Sequence, residues 1–204
     1  MPNPFPWLRL GQIWVVVSAP SGAGKTTLVK NLLKKHPAFV FSTSITTRRP
    51  RAGEKNGREY HFVSEKEFLR LRQAGKLLEC AKIHGFYYGT PAVPLRSKKK
   101  RRVILFDVNR QGARALKKVC REAVLVFIFP PGWKTLEARL FRRGTESKSE
   151  LRRRLADAQR EMEAARRYDY WIVNQTVAES VKRLEAIILA ELCRPARMET
   201  GNKK

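Results

Sequence analysis

Ile13-Trp14-Val15-Val16-Val17-Ser18-Ala19-Pro20-Ser21-Gly22-Ala23-Gly24-Lys25-Thr26-Thr27-Leu28 is the stretch on which the reading turns. Residues 13–18 are apolar on both alternating faces, the pattern of a strand buried on both sides in a parallel sheet. A Gly-rich turn follows. Beyond it Leu28, Leu32 and Leu33 recur at helical spacing, which predicts a helix over 26–35. Strand, Gly-rich turn and helix is the frame of a phosphate loop, whose usual pattern is Gly, four variable positions, then Gly-Lys-Ser/Thr. Gly24-Lys25-Thr26 is intact, and Ala19 stands at the first glycine position. Successive N–H groups of residues 19–27 are expected to face phosphate oxygens. Lys25 is placed to meet the β/γ-phosphates, and the Thr26 hydroxyl to ligate Mg²⁺.

Outward from this point the α/β rhythm continues. The sequence predicts strands over 39–41, 60–63, 77–83, 103–108, 123–129 and 170–173. Helices are predicted over 65–73, 111–119, 133–143, 149–167 and 177–192, with Ser64 an N-cap and residues 85–89 a turn. This alternation predicts an α/β fold, a central parallel sheet flanked by helices. Residues 44–90 break the rhythm and read as an inserted lobe. The core comprises about 12–43, 91–132 and 168–193, the lid about 133–167, and 194–204 a disordered tail.

The chain has 204 residues, 43% of them apolar, enough for one folded domain. Its longest apolar run, 123–130, is too short for a bilayer-spanning helix. Residues 1–12 lack the features of a secretory signal, and Cys80, Cys120 and Cys193 show no metal or disulfide spacing, so a cytoplasmic protein without a membrane partner is expected. Lys and Arg number 43 against 18 Asp and Glu, a net charge of +25. Residues 91–160 alone carry 20 basic against 6 acidic residues. The surplus favours anionic partners without choosing among them. The run Ser97-Lys98-Lys99-Lys100-Arg101-Arg102 reads as a charged connector. No specific nucleic-acid partner is expected, only weak non-specific binding at low salt. Monomer and homo-oligomer both remain open.

The segments SAPSGAGKTT (18–27), STSITTRRPRAGEKNGREYHFVS (42–64), LLECAKIHGFYYGT (77–90), ILFDVNRQG (104–112), RRGTES (142–147) and YDYWIVN (168–174) resemble those of guanylate kinases, in family order. The resemblance spans about 13–190 and implies transfer of the γ-phosphoryl of ATP to GMP or dGMP in purine metabolism, with Mg²⁺. Carried over position by position, it puts Arg48, Arg51, Tyr60 and Tyr88 on the GMP phosphate and Glu79 on guanine, with Ser44 and Thr90 donating to the guanine carbonyl. A carboxylate accepts from guanine's ring N–H and exocyclic amine. Adenine offers no such pair, and polar pairing of this kind discriminates by about 10⁴-fold. Asp107 is implied near the metal and acceptor. Asn109, implied with Asp107 at GMP, stands where the family usually has Asp, and Asn174-Gln175 where it usually has Asn-Asp, with Asn174 implied at ATP. Arg139, Arg143 and Arg154 match the lid arginines that close on ATP, and Lys25 and Arg48 join them as the catalytic set. The alternatives are a non-catalytic guanylate-kinase-like binding module and a related sugar-phosphate kinase.

Overall fold

The computed structural model describes residues 8–10, 12–51, 53–83, 85–92, 103–141 and 148–200. The basic run 97–102, Arg143 and residues 201–204 lie outside them.

In chain order the elements are β1 (Leu8–Leu10), β2 (Ile13–Ser18), α1 (Lys25–Lys35), β3 (Val40–Ser42), β4 (Ile45–Thr46), β5 (His61–Phe62), α2 (Glu65–Gln73), β6 (Leu77–Ile83), β7 (Phe86–Pro91), β8 (Val103–Asp107), α3 (Arg110–Val119), β9 (Val124–Phe129), α4 (Trp133–Phe141), α5 (Lys148–Glu163), β10 (Tyr170–Val173), α6 (Val177–Leu192) and β11 (Met198–Thr200). The central sheet runs β10-β9-β2-β8-β3, every pair parallel.

β2 is buried along its whole length and explains the unbroken apolar run. Its odd residues Ile13, Val15 and Val17 pack with Leu28 and Leu32 of α1 and Leu184 and Ile188 of α6. Its even residues Trp14 and Val16 pack with Phe106, Ala113 and Leu116 on the α3 side. A period of two on a strand covered on both faces gives two cores from one segment. β2 is also where the order of connections reverses: the chain leaves it toward β3 and β8, then crosses to β9. In such sheets ligands bind outside the carboxyl ends of the strands at this reversal. The carboxyl ends of β2 and β8 are clipped together by the Ser18 hydroxyl, which donates to the Val108 carbonyl at 2.8 Å.

Between β3 and β8 a second sheet, β5-β4-β7-β6, forms the inserted lobe. Ser64 caps α2 by accepting from the Glu67 N–H. Phe68 of α2 is fully buried and stacks on Tyr87 at 5.3 Å. A side chain at position 89 would meet Phe68, Leu77 and the Glu79 carbonyl at 3.0–3.2 Å, so glycine permits that packing. Leu136 and Leu140 of α4 and Ala158 of α5 form a third core, with Leu151, Leu155 and Met162 against it.

Three expectations are corrected. Residues 86–91 form a strand rather than a turn: the chain reverses between the paired Ile83 and Phe86, and the aromatic run continues antiparallel to β6. The helix predicted over 149–167 ends at Glu163 and tightens to a 3₁₀ turn over Ala164–Arg167. The tail is ordered through Thr200. Arg197 donates to the Glu191 carboxylate at 2.8 Å and to the Glu122 carbonyl at 2.9 Å, and β11 then pairs antiparallel with β1. No helix among the described residues is long and apolar enough to cross a membrane.

Candidate active site

The turn after β2 is built to present amides. The Ala23 N–H donates to the Pro20 carbonyl at 3.1 Å, and Gly22 and Gly24 take φ of 91° and 93°. Gly24 is the N-cap of α1, with no side-chain cap and no acidic residue in the first turn. The first-turn N–H groups of this helix are therefore left for an anion. Thr26 and Thr27 are exposed at that helix end, while Ala19 is buried in the core. Lys25 Nζ lies 2.5 Å from Asp107 Oδ1 and 3.2 Å from the Val108 carbonyl, at the carboxyl end of β8.

The inserted lobe brings its basic and aromatic groups to one place. Arg48 Nη2 donates to both Glu54 oxygens at 3.0 Å, and Nη1 donates to the Arg49 carbonyl at 2.7 Å. Its guanidinium carbon lies 5.5 Å from the Tyr60 ring centroid and 5.7 Å from that of Phe62. Burial works to lower the Arg48 pKa, but Glu54 and Tyr88 outweigh it and raise it. The same Glu54 accepts from the Arg51 N–H at 2.8 Å. Among the described residues the Arg51 guanidinium has no ion pair. Tyr60 and Tyr88 stand edge to face at 6.0 Å. Burial first, then the charges of Asp107 and Tyr88, push the Tyr60 phenol up, against the pull of Arg48. Asp107, the partner of Lys25, is thus also near enough to Tyr60 for its charge to raise the phenol.

Strand register places the remaining lobe residues. Glu79 pairs with Thr90 across β6 and β7, and Tyr88 lies two residues before Thr90 on the same face. The Thr90 hydroxyl donates to Glu79 Oε1 at 2.6 Å. Burial raises the Glu79 pKa, and the bonds from Thr90 partly offset this. The resemblance aims Thr90 at a guanine carbonyl; here its proton is committed to Glu79, which it orients. Ser44 is buried on the neighbouring segment. Asn109 has its side-chain oxygen already engaged. Its Oδ1 accepts from the Gly112 N–H at 2.9 Å and caps α3.

Two arginines come down from the helices of 133–163. Arg139 Nη1 donates to the Gly22 carbonyl at 3.2 Å, and Arg154 Nη2 donates to Ser21 Oγ at 2.8 Å. Asn174 lies beneath the loop and is buried. Its amide donates to the Ala23 carbonyl.

Two residues of this neighbourhood escaped sequence reasoning. Glu54 sits in the run Gly53–Tyr60 but carries no periodic signal that ties it to Arg48. Glu161 on α5 reads as part of a polar helix face. Burial pushes its carboxyl up to about 7, against the pull of Lys25 and Arg110.

Among the described residues no cluster of three His, Cys, Asp or Glu side chains is present. Thr26 and Asp107 offer a hydroxyl and a carboxylate, hard oxygen donors suited to Mg²⁺. That ion is commonly held by one or two protein groups, with waters and phosphate completing its shell.

The chain is similar to known proteins along most of its length. A guanylate kinase family model matches residues 12–191. The chain is 47% identical over 188 residues to the guanylate kinase of Oleidesulfovibrio alaskensis, covering 90% of this chain and 91% of that one. It is 46% identical over 184 residues to that of Nitratidesulfovibrio vulgaris, covering 90% and 89%. The crystal structure of the Anaplasma phagocytophilum guanylate kinase superimposes with a TM-score of 0.78 at 34% identity, covering 94% of this chain and 92% of that one. With a family model matched over most of its length and relatives at 46–47% identity, the chain belongs to the guanylate kinase family.

Proposed function

We propose that the chain transfers the γ-phosphoryl group of ATP to GMP or dGMP, giving ADP and the nucleoside diphosphate, in the cytoplasm. The observation that carries this reading is the charge of Asp107, ion-paired with Lys25 of the phosphate loop and near enough to Tyr60 of the inserted lobe to raise its phenol, in a chain that matches guanylate kinases along most of its length.

Residues 19–27 hold the triphosphate through backbone amides, with Lys25 exchanging Asp107 for the β/γ-phosphates. Arg48, Arg51, Tyr60 and Tyr88 grip the GMP phosphate, a dianion suited to guanidinium forks. Ionised Glu79 accepts from guanine's two adjacent donors, with Ser44 beside it and Thr90 orienting it. Asp107 lies at the junction, and Asn109 fixes the start of α3 there. Arg139, Arg143 and Arg154 place positive charge on the transferring group. Asn174 acts on the ATP side. Thr26 and Asp107 would hold Mg²⁺, which when bound neutralises phosphate charge. A GMP phosphate oxygen forms the new bond to the γ-phosphorus as the bond to the β,γ-bridging oxygen breaks, and ADP leaves. Positioning and electrostatics suffice, with no protein nucleophile.

ADP release with GMP, dGMP, AMP, CMP and a ribose bisphosphate tests the proposal. Release confined to GMP and dGMP, lost by at least about 10²-fold in Lys25→Ala, is expected. Release with the ribose bisphosphate would favour a sugar-phosphate kinase. No release with any acceptor would favour a binding module. Wild-type turnover in Lys25→Ala would remove that residue's role.

A further inference from the structure

We infer that Asn174 is a positioning residue for the phosphate loop, locked in orientation by Ser180, rather than a contact for the nucleoside. The inference rests on the reading of residues 19–27 as the triphosphate cradle and adds what aims it.

Asn174 is 3% exposed and Ser180 1% exposed, so neither faces open solvent. Asn174 Nδ2 donates to the Ala23 carbonyl at 2.7 Å, and the Ser180 hydroxyl donates to Asn174 Oδ1 at 2.9 Å. The Asn174 N–H donates to the Phe129 carbonyl at 2.9 Å, which anchors the residue at the carboxyl end of β9. The direction of the relay is fixed by chemistry. A backbone carbonyl only accepts, so the amide must turn its nitrogen to Ala23, and its oxygen then faces the Ser180 proton. Ser180 lies on α6, and its own N–H donates to the Thr176 carbonyl. Sheet, helix and loop are thus joined through one side-chain amide.

The consequence follows from the planar peptide. The C=O of Ala23 and the N–H of Gly24 belong to one rigid unit and point in opposite directions. Holding the Ala23 carbonyl on Asn174 turns the Gly24 N–H away from Asn174. Among the described residues that N–H has no acceptor, the state of a donor kept for a ligand. The fit is close: a Cβ on Gly24 would lie 2.5 Å from Asn174 Nδ2. Gly24 is therefore required both for its φ of 93° and for the approach of this amide.

The two roles for Asn174 separate with a probe that has no nucleoside. Calorimetric titration with MgATP and with magnesium tripolyphosphate is run on wild type, Asn174→Ala, Ser180→Ala and the double variant. Positioning predicts that Asn174→Ala weakens both probes by a similar factor, about tenfold. Ser180→Ala is expected to weaken both by less, about threefold, and to add nothing in the double variant, because its effect runs through Asn174. GMP affinity stays unchanged. A loss seen with MgATP but not with tripolyphosphate would assign Asn174 to the nucleoside and overturn the inference. Additive losses in the double variant would overturn the Ser180 relay, and equal affinity in wild type and Asn174→Ala would overturn the whole. If Asn174→Ala does not fold, Ser180→Ala removes a single hydroxyl, and both probes still report on it. Tripolyphosphate bound equally by Lys25→Ala would locate the failure in the reading of the loop itself.

Discussion

Replacing Glu161 by Gln should make the protein more stable at alkaline pH and leave its acid stability alone. The carboxyl titrates at about 7 in the folded chain against 4.5 as its ordinary value. Its burial on α5 is the main cause; Asp157 adds to it, Lys25 and Arg110 oppose it, and Tyr168 lies near enough to feel its charge. Between these two pH values the native chain keeps a proton that the unfolded chain has lost. The native state then binds more protons, and stability falls as pH rises through the window. Each pH unit is worth about 1.4 kcal/mol, so the ionised carboxylate costs the fold about 3 kcal/mol above pH 7. Gln keeps the shape and cannot ionise. Urea unfolding at pH 4, 6 and 8 measures the difference between variant and wild type. Expected is no more than about 0.5 kcal/mol at pH 4, rising to about 2–3 kcal/mol in favour of Gln at pH 8. A difference that does not change with pH would refute the argument. So would a variant less stable at pH 8, which would mean that Lys25 and Arg110 outweigh burial.

Three further outcomes are expected. Gly24→Ala forces a Cβ to 2.5 Å from Asn174 Nδ2 at a φ of 93°; MgATP affinity measured by calorimetry should fall at least about tenfold, with GMP affinity retained. Arg197→Ala leaves Glu191, whose side chain is 4% exposed, without its closest cation; thermal or urea unfolding should show a loss of about 2 kcal/mol, with kcat unchanged. Because burial raises the Glu79 pKa, GMP binding should weaken as pH falls at values above the ordinary carboxylate range. In Glu79→Gln that pH dependence should flatten in steady-state kinetics, with selectivity over AMP reduced.

The core was legible because its signals are local. β2 had to be an unbroken apolar run once helices cover both faces of the sheet, and α2 carried its own N-cap in Ser64. What was not legible depends on partners far along the chain. Residues 86–91 look like a turn, since Gly85, Gly89 and the aromatics break any simple alternation; only pairing with β6 makes them a strand. The tail looks polar because Arg197 is charged, and its buried partner Glu191 reads as one more polar position on α6. At the site, the family segments pointed to Arg48 and Glu79, but Glu54 and Glu161 gain meaning only from their surroundings. Asn174 shows the same limit: the resemblance implied a role at ATP, while its hydrogen bonds point it at the loop.

Several charged groups assigned to a substrate already have an internal partner. Lys25 has Asp107, Arg48 has Glu54, and Glu79 has Thr90. Such pairing avoids the cost of a half-buried charge left alone, and it fixes each side chain before a ligand arrives. It also dictates the order of exchanges. Lys25 must leave Asp107 to reach a phosphate, and Thr26 and Asp107 would hold Mg²⁺, which would supply positive charge at that carboxylate. Arg48 is different, because one Nη is held by Glu54 and the other donates only to a carbonyl, so the guanidinium meets the acceptor phosphate without surrendering its partner. The donor side is therefore built to exchange partners, and the acceptor side to stay in place.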